Sequence, residues 1–254
     1  MNLHQCIFTN SDCYKRGVYI VPRGVMWHST GANNPQLKRY VQPDDGKLGY
    51  NSYQNHWNRR GLDVCVHAFI GKLQNGEVAT YQTLPWNRRG WHAGGKANDT
   101  HISFEICEDD LYDEAYFRKV YREAVELTAE LCTEYRLDPL EDGVVIDHKE
   151  GHDRGLASNH GDITHWLKIY GLTMDDVRRD VAAELAKNKE VEEVAEAVRY
   201  QKLEALPAWA VPEATELVAL GALKGNEKGL DVTEDMLRTM IINLRATKSL
   251  LEAE

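Results

Sequence analysis

Residues 175–201 read DDVRRDVAAELAKNKEVEEVAEAVRYQ, with no Gly or Pro and charge distributed along the whole run. Nothing there turns or breaks a helix, so the run predicts a charged helical connector that divides the chain in two. The 254 residues are then about 175 of one large domain, residues 1–175, a linker over 176–204, and a tail of some fifty residues over 205–254. Apolar residues make up 43% and charged residues 28% of the chain, a soluble globular balance that excludes a disordered or collagen-like chain. No apolar run approaches the ~20 residues a membrane helix requires. The N-terminus, MNLHQCIFTNSDCYKRG, lacks the apolar core of a signal peptide, so the expectation is synthesis in the cytoplasm. Five Cys without a C-x-x-C pair read as reduced thiols in that compartment.

Charge is unevenly placed. Residues 1–100 hold 12 Lys/Arg against 6 Asp/Glu, and the remainder holds 18 against 34. The net charge of −10 argues against sequence-independent nucleic-acid binding, which needs a basic stripe to neutralise phosphates.

In the large domain, strand and helix signals alternate. Residues 24–28 predict a short buried strand. Residues 34–41 predict a helix, with Asn34 as N-cap and Pro35 at its first position. Residues 64–71 and 77–82 predict two strands around Asn75-Gly76, a strong hairpin signal. Another strand is expected over 101–107 and a long amphipathic helix over 113–135, where Ala115, Val120, Ala124, Leu127 and Leu131 recur at helical spacing. A short strand over 144–146 ends at Asp147-His148. The expected class is α/β, a mixed central sheet flanked by helices. Beyond the linker, two helices over 212–220 and 233–251 are expected around a Gly-rich turn. That tail is too small for a robust independent core.

The chemistry concentrates in DHKEGHDRGLASNHGDITH. His148, His152, His160 and His165 fall within eighteen residues, interleaved with Asp147, Glu150, Asp153 and Asp162. Unpaired charge is costly to bury, so this loop reads as a metal or acid–base site. His28 stands at the end of an apolar strand, where a side chain is held rigidly and can face a cleft. Glu105 sits inside another apolar strand, as a salt-bridge partner or as an acid–base group. His28, one His of the late loop and Asp162 would make a three-ligand zinc set with one position left for water. A carboxylate such as Glu105 could then take a proton from that water, and His160 could stabilise an oxyanion.

Five segments in order carry a resemblance: VMWHST from Val25, HAFI from His67, WHAGG from Trp91 with Asn98, ISFE from Ile102, and DHKE from Asp147 followed by NHGD from Asn159. Together they resemble the type-2 N-acetylmuramoyl-L-alanine amidases, zinc enzymes related to peptidoglycan recognition proteins, over roughly residues 18–170. The flavour is similar to phage or prophage endolysins of Gram-positive, clostridia-like hosts. The resemblance implies cleavage of the amide between N-acetylmuramic acid and L-alanine in peptidoglycan, with release from the cytoplasm before action on the wall. It implies His28, His148 and Asp162 as zinc ligands, Glu105 and His160 as catalytic residues, and His67, Trp91, His92 and Asn98 along the substrate groove. His148 is preferred to His152 because it directly follows a strand, whereas His152 lies in a Gly-flanked loop.

The C-terminal piece, from Trp209 through Gly221 and Gly225 to Arg245, is similar to a surface-layer-homology repeat, which implies attachment to a cell-wall polymer. The alternative is a helical hairpin for homodimerisation or for packing on the enzyme. Two other functions stay open. One is a non-catalytic peptidoglycan-binding module on the same fold, though all three ligand positions hold competent residues. The other is a zinc peptidase, in which His148 and His152 of HKEGH would act together at i, i+4. Arg59, Arg60, Arg88 and Arg89 are expected to flank the groove and steer anionic wall toward it.

Overall fold

The computed structural model describes residues 1–196 and 198–251. It separates into two compact units, Met1–Lys187 and Asn188–Glu254.

The first unit is built on a six-stranded sheet. Its strands are β1 (Leu3–Gln5), β2 (Gly24–Ser29), β3 (Ala68–Lys72), β4 (Val78–Gln82), β5 (His101–Ile106) and β6 (Val145–Asp147), in the spatial order β1-β4-β3-β5-β2-β6. β3 and β4 form the expected antiparallel hairpin, with Gly76 at φ +86° in its turn. The other neighbours are parallel. The parallel centre explains why β2 reads as a continuous apolar run, since all six of its residues are buried.

Alternation along β3 distributes the core between two layers. Ala68 and Ile70 join Trp27, Phe104, Val120, Ala124 and Leu127 on the side covered by α2 (Glu114–Tyr135). Phe69 joins Phe8, Leu37, Tyr40, Leu48 and Tyr81 on the other side. Asp113 caps α2 by accepting from the Tyr116 amide. Two polar tips in the α2 layer find partners: Trp27 Nε1 donates to Thr128 Oγ1 at 3.0 Å and Tyr116 OH donates to Cys107 O at 2.6 Å.

Three sequence expectations shift. The helix over 34–41 is only a 3₁₀ turn at Leu37–Arg39. Its backbone is used elsewhere, because Pro35 O accepts from Lys72 N at 2.7 Å and Gln36 bridges to Lys72 at the end of β3. The connector helix α5 (Met174–Glu196) ends before residue 198; residues 197 and 252–254 lie outside the described residues. Tyr200 instead bridges to Val232. The first half of α5 belongs to the first unit, since Met174, Val177 and Val181 are buried in its core. Two short elements without a strong sequence signal also appear, β1 and α1 (Asp12–Arg16).

Two further short helices carry the late loop, α3 (His148–Asp153) and α4 (Thr164–Ile169). Asp147 caps α3, accepting from the Glu150 amide at 2.7 Å, and also accepts from Thr164 Oγ1 at the start of α4. Arg178 of α5 donates to Val145 O at 2.8 Å and to both oxygens of Glu150. The end of β6 is therefore tied to α3, α4 and α5.

The second unit contains α6 (Val211–Ala219) and α7 (Glu234–Leu251), one residue from their expected starts. Its core is Leu206, Ala210, Ala214, Leu217, Leu223, Val232, Leu237 and Ile241. Trp209 lies outside that core, with the Arg238 guanidinium 4.8 Å from its ring centre.

The loop beside the late helices requires a residue without a side chain. A Cβ on Gly95 would stand 2.4 Å from Leu156 O, and the same carbonyl accepts from Ala97 N. Gly95→Ala is expected to force the 93–98 and 156–158 segments apart and to destabilise the first unit by about 1–3 kcal/mol. An unchanged thermal midpoint would show that the loops separate without cost.

Candidate active site

Three strand ends define the site. In the parallel register His28 of β2 lies beside Glu105 of β5, and Trp27 lies beside Asp147 of β6. His28, Glu105 and His148 therefore emerge together at the carboxyl ends of adjacent strands, the usual ligand-binding edge of a parallel sheet. Asp162 arrives from the loop before α4. These residues border a pocket of about 500 Å3 together with Trp91, His92, Ser158, His160 and His165.

His28, His148 and Asp162 converge on one point. His28 Nδ1 is 2.7 Å from Asp162 Oδ2, His148 Nδ1 is 3.3 Å from the same oxygen, and the two ring nitrogens are 3.1 Å apart. The surrounding shell decides what these atoms offer. His92 Nε2 faces His101 O at 3.3 Å, which makes it the donor and leaves His92 Nδ1 as an acceptor for His28 Nε2–H at 3.0 Å. Neutral His28 then presents the bare lone pair of Nδ1 to the carboxylate. Burial lowers the pKa of His28 against the pull of Asp162, which favours that neutral form.

Lone pairs facing one another at these distances repel unless a cation lies between them. Ligands of a tetrahedral zinc ion with bonds of about 2.0–2.1 Å stand roughly 3.3 Å apart, close to the separations seen here. The donor set fits zinc, and its shell has the outer hydrogen bonds that orient metal-bound imidazoles. His148 Nε2 lies 3.3 Å from Ser158 Oγ in this role.

Glu105 lines the pocket, and its buried Oε2 has no hydrogen-bond partner among the described residues. Desolvation raises its pKa well above the carboxylate norm, with the charges of Asp162 and Glu108 adding to the effect. A carboxyl in that state can accept and return a proton near neutral pH. His160 is exposed on the rim, its ring centre 4.8 Å from that of His148 and its Nδ1 3.0 Å from Ser158 Oγ.

Not all expected groove residues reach the groove. Trp91 and His92 border the pocket. His67 and Asn98 stand behind its wall. Asn98 Oδ1 accepts from the amides of both His92 and Ala93 at 2.9 Å, which shapes the loop that carries His92. His67 has no exposed surface; its Nδ1 accepts from Ser103 N and its Nε2 donates to Arg88 O. The four arginines also fail to face the pocket. Arg60 pairs with Asp12, Arg89 pairs with Asp99, Arg59 donates to His56 O, and Arg88 is held between the rings of Tyr14 and Tyr19. His152 is exposed, its ring turned to Ala157 O, so HKEGH does not form a two-His site.

Sequence reasoning assigned no role to Ser29, Glu108 or Ser158, and singled out His165 only as part of the His-rich loop. Glu108 Oε1 accepts from Ser29 Oγ at 2.5 Å and lies 3.1 Å from His165 Nε2. Ser29 Oγ accepts from Ile163 N at 2.8 Å, next to Asp162. Ile163 has φ +61°, a strained value for a β-branched residue, so this network holds Asp162 in place against local preference. The available signal was position: Ser29 and Glu108 both follow directly on the apolar runs of strands that end at the site.

Two outcomes follow from this geometry. His148→Ala is expected to lose bound zinc, measured by metal analysis after dialysis, while His152→Ala retains it; the reverse pattern would overturn the ligand set. His67 is pushed down to about 4 by burial, against its hydrogen bonds to Arg88 and Ser103. The unfolded chain protonates this group near 6.5, so between those values the unfolded state binds more protons and stability rises with pH. Its contribution is complete above pH 6.5 and falls by about 3 kcal/mol as pH drops toward 4. His67→Gln should flatten the decline of the thermal midpoint across that window, and an unchanged slope would contradict the assignment.

Residues 19–163 match the family model described as N-acetylmuramoyl-L-alanine amidase, more than half of the chain. No curated protein matches it in sequence. The hydrolase AmiA of Staphylococcus aureus, solved in complex with its ligand, superposes with a TM-score of 0.52 at 20% identity, covering 74% of this chain and 84% of AmiA. A mutant of PlyL superposes with a TM-score of 0.51 at 19% identity, covering 71% of this chain and 98% of PlyL. The PlyG catalytic domain gives 0.50 at 18% identity, over 73% and 96% respectively. These likenesses concern the fold, and the family assignment rests on the sequence match: the chain belongs to the N-acetylmuramoyl-L-alanine amidase family and is an amidase.

Proposed function

We propose that this amidase is a zinc-dependent endolysin that hydrolyses the amide between N-acetylmuramic acid and L-alanine in peptidoglycan and so opens the cell wall. The observation that carries the reading is the convergence of the His28, His148 and Asp162 lone pairs at a pocket lined by Glu105, whose buried Oε2 has no hydrogen-bond partner among the described residues. His28, His148 and Asp162 would hold the zinc ion, whose chemistry in such a site is Lewis-acid polarisation and acidification of water. Glu105, with its raised pKa, takes a proton from the attacking water and returns it to the departing L-alanine amine. His160 on the rim donates a hydrogen bond to the oxygen that gains charge as the carbonyl is attacked. Trp91 and His92 form the wall against which the glycan and stem peptide lie, while Asn98 and His67 position that wall from behind.

Within this proposal the first unit is the catalytic domain and the 176–204 segment is its connector. The second unit attaches to a wall polymer, and the partly exposed Trp209 stacked by Arg238 supplies a surface of the kind that binds sugars. The place of action is then the cell wall, where the cleaved amide lies, and no described helix is long and apolar enough to cross a membrane. A non-catalytic binding role is disfavoured, because nothing in simple binding calls for an unpartnered acid beside a complete ligand triad.

Digestion of purified wall sacculi, with mass spectrometry of the products, tests the function. Stem peptides beginning at L-alanine should appear and should vanish on chelation. Glu105→Gln should keep its bound zinc but slow release by about 10²–10⁴-fold. Released reducing sugars in place of stem peptides would overturn the proposal.

A further inference from the structure

The wall that carries Trp91 has a feature that hydrolysis does not use. Cys13 of α1 and Cys65 are packed together with Leu84 in one small cluster, with Tyr14 and Trp91 against it. Each thiol shifts the acidity of the other, Cys13 downward and Cys65 upward. Both also hold the segment that leads to the pocket: Cys13 Sγ donates to Arg89 O at 3.2 Å, and Cys65 exchanges backbone hydrogen bonds with Trp91 at 2.9 and 3.0 Å. Two cysteines far apart in sequence are thus brought into one small cluster.

We propose that Cys13 and Cys65 form a redox pair that closes to a disulfide beneath the Trp91 wall when the protein meets a peroxide. Cys13 and Cys65 are themselves buried, and the other three cysteines lie outside their cluster. Cys107 and Cys132 are buried elsewhere, Cys6 is half-buried, and burial pushes all three thiols up. Cys13 alone among the five is shifted down, first by Cys65 and then by the Arg89 and Arg88 charges; Cys65 is shifted up. That asymmetry makes Cys13 the attacking sulfur and Cys65 the resolving one.

The chemistry balances with hydrogen peroxide as oxidant. The Cys13 thiolate attacks one peroxide oxygen, the O–O bond breaks, and hydroxide leaves and takes up the thiol proton as water. The product is a sulfenic acid on Cys13. The Cys65 sulfur then attacks the Cys13 sulfur, the S–O bond breaks, and the hydroxyl departs with the Cys65 proton as a second water. Two thiols lose two electrons in total and one peroxide is reduced to two waters. The resulting bond joins α1 to the strand-like pairing of Cys65 with Trp91 and encloses residues 13–65, a long loop whose closure restricts the unfolded chain. A reducing cytoplasm keeps the pair open, and an oxidising exterior closes it.

The test uses the full chain. After peroxide treatment and alkylation of remaining thiols, a non-reducing digest should yield one cross-linked peptide pair joining Cys13 to Cys65, with Cys107 and Cys132 alkylated after denaturation. The thermal midpoint should rise by on the order of 10 °C and return on addition of dithiothreitol. Cys65→Ser should abolish the cross-link and the rise, leaving a sulfenic acid on Cys13 that a dione probe captures. Recovery of Cys13 and Cys65 as alkylated thiols or sulfinic acids in the wild-type protein, or a cross-link between other cysteines, would overturn the proposal. The wild-type measurement decides it even where a variant folds poorly.

Discussion

The site depends on the parallel pairing of β2 with β5 on one side and β6 on the other. That register sets His28 level with Glu105 and delivers His148 one residue beyond the end of β6. Three groups with different chemistry, two imidazoles and a carboxyl, thus reach one pocket from rigid backbone. A sheet is a suitable support because a shift of one residue in any strand would turn the relevant side chain to the opposite face. Only Asp162 comes from a loop, and it is there that supporting contacts accumulate: Ser29 holds the next amide, and Thr164 is bound to Asp147.

Burial gives these groups their character. His28 and His148 are 1% and 4% exposed, so water does not screen the lone pairs that meet at Asp162. The lowered pKa values of His28 and His92 and the raised pKa of Glu105 have the same origin, the loss of hydration, and differ in sign because the charged forms differ. Among the described residues the Oε2 atom of Glu105 has no hydrogen-bond partner, while His92, Asn98, His67 and Ser103 nearby have theirs. Behind the wall, Asn98 and the His92 loop it holds form one set of hydrogen bonds, and His67 with Ser103 forms a second, separate one.

Local signals in the sequence identified most of the sheet, because buried parallel strands read as apolar runs and the Asn75-Gly76 turn admits little else. They failed at residues 34–41, where helix-start residues were present but β3 offered hydrogen-bond partners that a helix would have forgone. They also overran the connector helix, since absence of Gly and Pro removes a stop signal without setting an end. At the site, His28, His148, Glu105 and Asp162 were legible from strand ends and from the density of His and Asp. His67 and Asn98 were recognised as important, yet were expected on the pocket surface. Nothing in one dimension separates a residue that lines a pocket from one that braces the lining.

By itself, then, the sequence determined the alternation of elements and the short list of residues able to hold a metal or move a proton, because periodicity and residue type are local properties. Tertiary structure decided which of those residues meet. It chose His148 over His152 through the cap that Asp147 places at the start of α3, and it diverted the four arginines into local pairs. It also brought Cys13 beside Cys65. Each of those outcomes depends on distances between segments far apart in the chain, and such distances are set by the packing of the whole sheet.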